Sequence, residues 1–212
     1  MRTRPSVSLV VTALAVATVL SQDPRAYTTN GARWNRPIVS YVVNPANLDL
    51  PANAVIPAVQ AGADAWALQS TAAFAFSYSG LSSQTTNTND GVNLVLFRNA
   101  ASGSAIATTY SWFNSSGLLD TDIVFWDAAF QFFAGTAGCL GGFYIEDIAA
   151  HEFGHALGLG HSTLTSATMY PSVSSCDNSN RSLDADDLAG VLAIYGPRTA
   201  PPPAPTGLRF VR

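Results

Sequence analysis

The segment HEFGHALGLGH, from His151 to His161, constrains this chain more than any other, because it holds all three of its histidines. His151 and His155 are four apart. On an α-helix they project from one face about one turn apart, and both imidazoles can reach one metal ion at roughly 2.0–2.1 Å. His161 lies six residues beyond His155. If the helix continued, it would sit about 9 Å further along the axis and on another face. The fold must therefore end a helix between His155 and His161 and turn the chain back. Gly158 stands where a left-handed residue closes a helix, and Gly160 adds freedom just beyond it.

Three neutral imidazoles leave the fourth tetrahedral position of Zn²⁺ open, which marks a catalytic rather than a structural site. Glu152, beside the first ligand, is rotated off the ligand face toward that open position. There it can take a proton from a metal-bound water attacking a carbonyl. The chain has only one other glutamate, Glu146. A buried amphipathic helix with incidental histidines is the bland alternative, and it does not account for the register. The pattern predicts a metal-dependent hydrolase.

Around this cassette, residues 38–43, 73–77, 91–97, 105–112 and 122–126 read as β-strands with turn residues between them. Residues 54–69, 145–157 and 184–195 carry helical signals, with Asn53 and Asp184 as start positions. The polar stretch 79–90 reads as a surface loop. The order gives an α+β fold with enough apolar sequence for one core, placed at residues 33–197.

The full pattern H-E-x-x-H-x-x-G-x-x-H resembles the metzincin metalloproteases. That clan carries a methionine turn downstream, and Ala167-Thr168-Met169-Tyr170-Pro171 fits it. Apart from Met1, Met169 is the only methionine; as an ordinary residue it would simply fill a core gap. With Ser162 after the third histidine, the segment looks like the matrixin branch rather than the astacin, serralysin or adamalysin branches. Arg33-Trp34, residues 38–44, residues 61–76 with Trp66 and Phe74, and residues 183–196 are similar to the matrixin opening strand, first helix with second strand, and closing helix. The resemblance implies a zincin-like fold: a twisted, mostly parallel five-stranded sheet over an active-site helix, with a Met-turn and a C-terminal helix. It also implies that Met169 supports the metal site, and that Asp186 and Asp187 tie the last helix to the Met-turn and the chain start. Two aspartates favoured by the helix dipole are equally compatible with that pair.

Substrate, by the same resemblance, would lie extended along the edge strand at Ala107, Thr108 and Thr109, with Pro171, Ser172 and Val173 lining the main specificity pocket. Departures matter here. The family's second, structural zinc needs extra histidines, and this chain has Ala107-Thr108-Thr109-Tyr110 where a histidine-bearing strand is expected. One catalytic zinc is therefore predicted. Calcium has Asp120, Asp122 and Asp127 as candidate oxygen ligands, at a spacing that matches no calcium loop. Pro171-Ser172-Val173 departs from the Pro-x-Tyr common in vertebrate members, so selectivity does not carry over.

Residues 1–21 read as a secretory signal: Arg2 and Arg4, then an apolar run over 7–20 too short for a comfortable membrane span, with Val19 and Ser21 before the cut. An uncleaved anchor is the alternative. Residues 22–32 form a short N-terminal segment, with neither the length nor the cysteine of the family's latency propeptide. Export permits a disulfide between Cys139 and Cys176, the only cysteines, and free thiols are the alternative. The chain has no lysine and a net charge of −4, made more acidic once two arginines leave with the signal. That balance argues against nucleic-acid binding. Residues 198–212 read as a proline-rich linker or tail, its end similar to the first strand of a fibronectin type III-like module.

The expectation is a secreted, monomeric zinc endopeptidase acting on protein or peptide substrates, without stable membrane insertion once the signal is gone. The alternative is a catalytically silent, zinc-containing extracellular binding or adhesion module.

Overall fold

Alternating burial along IVSYVVN makes residues Ile38–Asn44 a strand, β1, in the computed structural model, which describes residues 25–199. The expected signal segment 1–21 and all but the first residues of the tail lie outside the described residues. After β1 come helix α1 (Ala52–Leu68), strands β2 (Ala75–Leu81), β3 (Leu94–Arg98), β4 (Ala107–Asn114) and β5 (Gly117–Trp126), then the short β6 (Phe132–Phe133) and β7 (Phe143–Tyr144). Helix α2 (Ile145–Leu157), a 3₁₀ turn at Ser179–Arg181 and helix α3 (Ala185–Tyr195) complete the order. The main sheet runs β2-β1-β3-β5-β4. Its first four members pair in parallel, and β4 closes the edge antiparallel to β5. The expected α+β, mostly parallel, five-stranded architecture with three helices is what forms.

Apolar side chains from β1 and β2 meet α2 directly. Phe153 packs with Tyr41 and Phe76 at ring-centroid distances of 4.9 and 4.7 Å. A smaller cluster of Leu94, Leu96, Val124 and Trp126 accompanies this core. Burial on both sides explains why β3 reads as an unbroken apolar run. The active-site helix is also tied at its carbonyls. The indole N–H groups of Trp66 and Trp34 donate to Ala150 O and Ala156 O, each at 2.9 Å, and the Tyr195 hydroxyl donates to Leu157 O at 2.6 Å. The last two carbonyls belong to the final helical turn, which has no intrahelical donors left for them.

Several boundaries differ from the sequence expectation, among them the starts of β3 and β4, and three have a visible physical cause. Helix α1 is entered through Pro51 rather than Asn53, with the Ala54 N–H donating to Pro51 O at 2.9 Å and no side-chain cap. Strand β2 takes the first residues of the expected loop, because its parallel pairing with β1 runs on to Val43↔Leu81 across a bulge. Strand β5 starts at Gly117, five residues before the expected 122. Its buried Asp120, Thr121 and Asp122 disguise it as a turn. Asp120 accepts the N–H groups of Asp90 and Gly91, and Asp122 accepts those of Thr88 and Leu94, all at 2.9 Å. The two carboxylates thus satisfy the backbone of the preceding loop. Burial pushes Asp122 up to about 6.

Candidate metal centre

Helix α2 stops at Gly158, whose φ of 116° is left-handed. Its N–H and that of Leu159 donate back to Gly154 O and His155 O in the pattern of a glycine-closed helix end. A Cβ on Gly158 would also come within 2.5 Å of Ala32 O. The return stretch is held by the N-terminal segment: Asn30 N–H donates to Gly158 O at 3.0 Å, and Gly160 N–H to Thr28 O at 2.9 Å. The Thr28 hydroxyl donates to His161 O at 2.9 Å. This strap was not foreseen, since nothing in residues 25–32 signals a partner 130 residues away.

The turn brings His161 back onto the helix face. Nε2 of His155 lies 3.1 Å from Nε2 of His151 and 3.2 Å from Nε2 of His161. His151 Nδ1–H donates to Thr168 O at 2.7 Å, and His155 Nδ1–H to Leu159 O at 2.9 Å. A carbonyl only accepts, so these bonds place the ring protons on Nδ1 and leave lone pairs on the converging Nε2 atoms. Burial holds His151 and His155 down at about 4, so both rings are neutral. Facing lone pairs repel unless a cation sits between them. Tetrahedral ligands at 2.0–2.1 Å would stand about 3.3 Å apart, which matches the observed spacing. The residues fit zinc. Among the described residues, no other group of three or more histidine, cysteine, aspartate or glutamate side chains offers such a cluster. Asp120 and Asp122 accept N–H groups of the 88–94 backbone and Asp127 accepts that of Leu48 at 2.6 Å, and among the described residues these candidate calcium ligands do not form a metal-binding group.

Met169 is fully buried beneath this group, its sulfur pressed against Gly154, where a Cβ would have no room. The Met-turn hangs on α3. Asp187 accepts Thr168 N–H at 2.7 Å and Met169 N–H at 3.1 Å, while also closing a capping box with Asp184. Asp186 accepts the Ser162 hydroxyl at 2.7 Å and Ala26 N–H at 2.9 Å. Both readings of the aspartate pair hold: they start the helix and they tie it to the Met-turn and the chain start.

A cavity of about 630 Å³ opens beside the histidines. Its lining includes Glu152, the expected Ala107, Thr108 and Thr109 of β4, and the expected Pro171, Ser172 and Val173 beyond the Met-turn. Glu152 is buried, and loss of solvation raises its carboxyl while the nearby His155 opposes the shift. Sequence reasoning missed Phe130, Phe143, Ile148, Tyr170 and Asn180, which line the same space. The aromatic stretch around residues 130–144 was the available signal, but such clusters carry no chemistry of their own. Cys139 and Cys176 form a disulfide with Cα atoms 5.5 Å apart. It joins the loop before α2 to the segment following the pocket wall, where Cys176 N–H donates to Gly142 O at 2.9 Å.

A histidine triad closed by a left-handed glycine, on a helix beneath a mostly parallel sheet and above a buried methionine turn, defines a metzincin. More narrowly, the chain belongs to the matrixin family, whose profile matches residues 33–196. It is 53% identical over 57 residues to human matrix metalloproteinase-20 and 52% identical over 60 residues to human neutrophil collagenase. It is also 53% identical over 53 residues to metalloendoproteinase 1-MMP of Arabidopsis thaliana. These matches take in 27%, 28% and 25% of this chain but only 12%, 13% and 14% of the respective relatives. Matrixins are, as a family, zinc metalloendopeptidases.

Proposed function

We propose that this chain is a secreted zinc endopeptidase, with His151, His155 and His161 as metal ligands and Glu152 as general base. The observation that carries the reading is the convergence of the three imidazole Nε2 atoms on one point, with a buried carboxylate in the same cavity. Zinc held there supplies Lewis-acid polarisation of a carbonyl and acidifies water at its open position. Glu152 takes the proton of the attacking water and returns it to the leaving amine. Strand β4 is an edge with one sheet neighbour, so an extended peptide can add to it as a further strand. Pro171, Ser172 and Val173, with Phe130 and Phe143, form a largely apolar recess for a side chain beside the scissile bond. Among the described residues no helix is long and apolar enough to cross a membrane, and secretion rests on the signal-like residues 1–21.

The test is a peptide-library digest by the purified protein, with metal content measured on the same sample. Cleavage that disappears with a zinc chelator and returns with zinc is expected. Cleavage that survives complete zinc removal, or a zinc-loaded protein that cuts nothing, would overturn the reading.

A further inference from the structure

Thr109 sits on β4, with its hydroxyl oxygen 2.6 Å from Oε2 of Glu152 and 3.0 Å from the main-chain oxygen of the same residue. Its single O–H thus faces two acceptors of Glu152, and the shorter contact is to the carboxylate. This matters because Glu152 is buried, and Thr109 is the only side chain that hydrogen-bonds to its carboxylate among the described residues, with the Thr109 main chain beside it. A glutamate has three side-chain torsions, and apolar packing alone leaves the terminal carboxylate free to swing. The neighbouring Thr108 faces away, its hydroxyl accepting the indole N–H of Trp126 at 2.9 Å. The alternation of the strand thus assigns the two adjacent threonines different work.

We propose that Thr109 is a positioning residue that fixes Oε2 of Glu152 and leaves Oε1 as the oxygen offered to the reacting water. This rests on Glu152 acting as general base, as proposed above. Resemblance to the family placed Thr109 only among residues that meet substrate. The structure assigns its hydroxyl to the base, and leaves substrate the main chain of β4. Misplacement of a reacting group by about 1 Å costs on the order of 100-fold in rate, so the bond is large enough in consequence to be read kinetically.

The experiment compares Thr109→Val, which keeps shape and removes the hydroxyl, with Thr109→Ser, which keeps the hydroxyl. For Thr109→Val, kcat should fall about 10- to 100-fold while KM and bound zinc stay at wild-type values, and Thr109→Ser should recover most of the loss. Unchanged kcat in Thr109→Val, a loss confined to KM, or equal losses in both variants would overturn the proposal. Crystal structures of wild type and Thr109→Val give a readout independent of turnover. The Glu152 carboxylate should hold one orientation in the first and leave it in the second, and an unmoved carboxylate in the variant contradicts the proposal. A wild-type protein that binds zinc and cleaves nothing refutes the peptidase reading instead, and the crystallographic comparison still decides the role of Thr109.

Discussion

Removing the Asp187 carboxylate should cost more stability than removing any other single acidic group at the start of α3. Its two oxygens accept three N–H groups, from Thr168 at 2.7 Å, Asp184 at 2.9 Å and Met169 at 3.1 Å. Asp187, Thr168 and Met169 are all fully buried, so water cannot readily replace the lost acceptor. Leaving a buried donor unsatisfied costs about 1–3 kcal/mol each. Two such donors, Thr168 and Met169, with the half-buried Asp184 N–H adding less, set the loss for Asp187→Ala at roughly 2–5 kcal/mol, after allowing for relief of the desolvation that raises this carboxyl. For a domain of this size that lowers Tm by roughly 4–20 °C. Asp186→Ala loses two donors, one of them the hydroxyl of Ser162, which can turn elsewhere, and should lose about 1–3 kcal/mol. Because Thr168 O also receives the Nδ1–H of His151, Asp187→Ala should weaken zinc binding as well. Urea unfolding of both variants with zinc titrated on the same samples provides the check. A loss below about 1 kcal/mol for Asp187→Ala, or a larger loss for Asp186→Ala, refutes the idea that α3 suspends the Met-turn.

Replacing both Cys139 and Cys176 by serine should destabilise the protein by roughly 2–4 kcal/mol, since the bridge closes a separation of 37 residues. Thermal melts read this directly, and an unchanged Tm contradicts it. A pH effect follows from Asp122. Its folded-state value of about 6 lies above the ordinary 3.8, so folding takes up a proton over that interval. The contribution is fully present below about pH 4 and is lost as pH rises through about 6. The gap in stability between wild type and Asp122→Ala should therefore narrow from pH 4 to pH 6, by about 3 kcal/mol at most. A gap that widens over that range shows that the sign is wrong.

Elements with a strong local reason were legible in the sequence. Helix α2 and its end at Gly158 followed from the need to bring His161 back, and Asp184 marked the start of α3, where the structure forms a capping box. Elements whose reason is tertiary were not. Strand β5 hid behind Asp120 and Asp122, which are polar because they serve another loop's backbone. The strap at Thr28 and Asn30 left little trace, because two of its bonds are main-chain bonds that any residue can make and the third needs only a hydroxyl. In the candidate site, ligands and base were visible because their chemistry demands a residue type at a fixed spacing. Phe130, Phe143 and Asn180 line the cavity by shape alone. The role of Thr109 is hidden for a similar reason, since a hydroxyl on an edge strand gives no hint that its partner is a glutamate 43 residues away.

The central claim is that one zinc site formed by His151, His155 and His161 works with Glu152 to cut peptide bonds. The most direct measurement is peptide cleavage by Glu152→Ala alongside wild type, with bound zinc quantified in both. The account predicts one zinc per chain in each protein, cleavage by wild type, and a loss of several orders of magnitude in the variant. A Glu152→Ala protein that carries its zinc and still cleaves at the wild-type rate would contradict it.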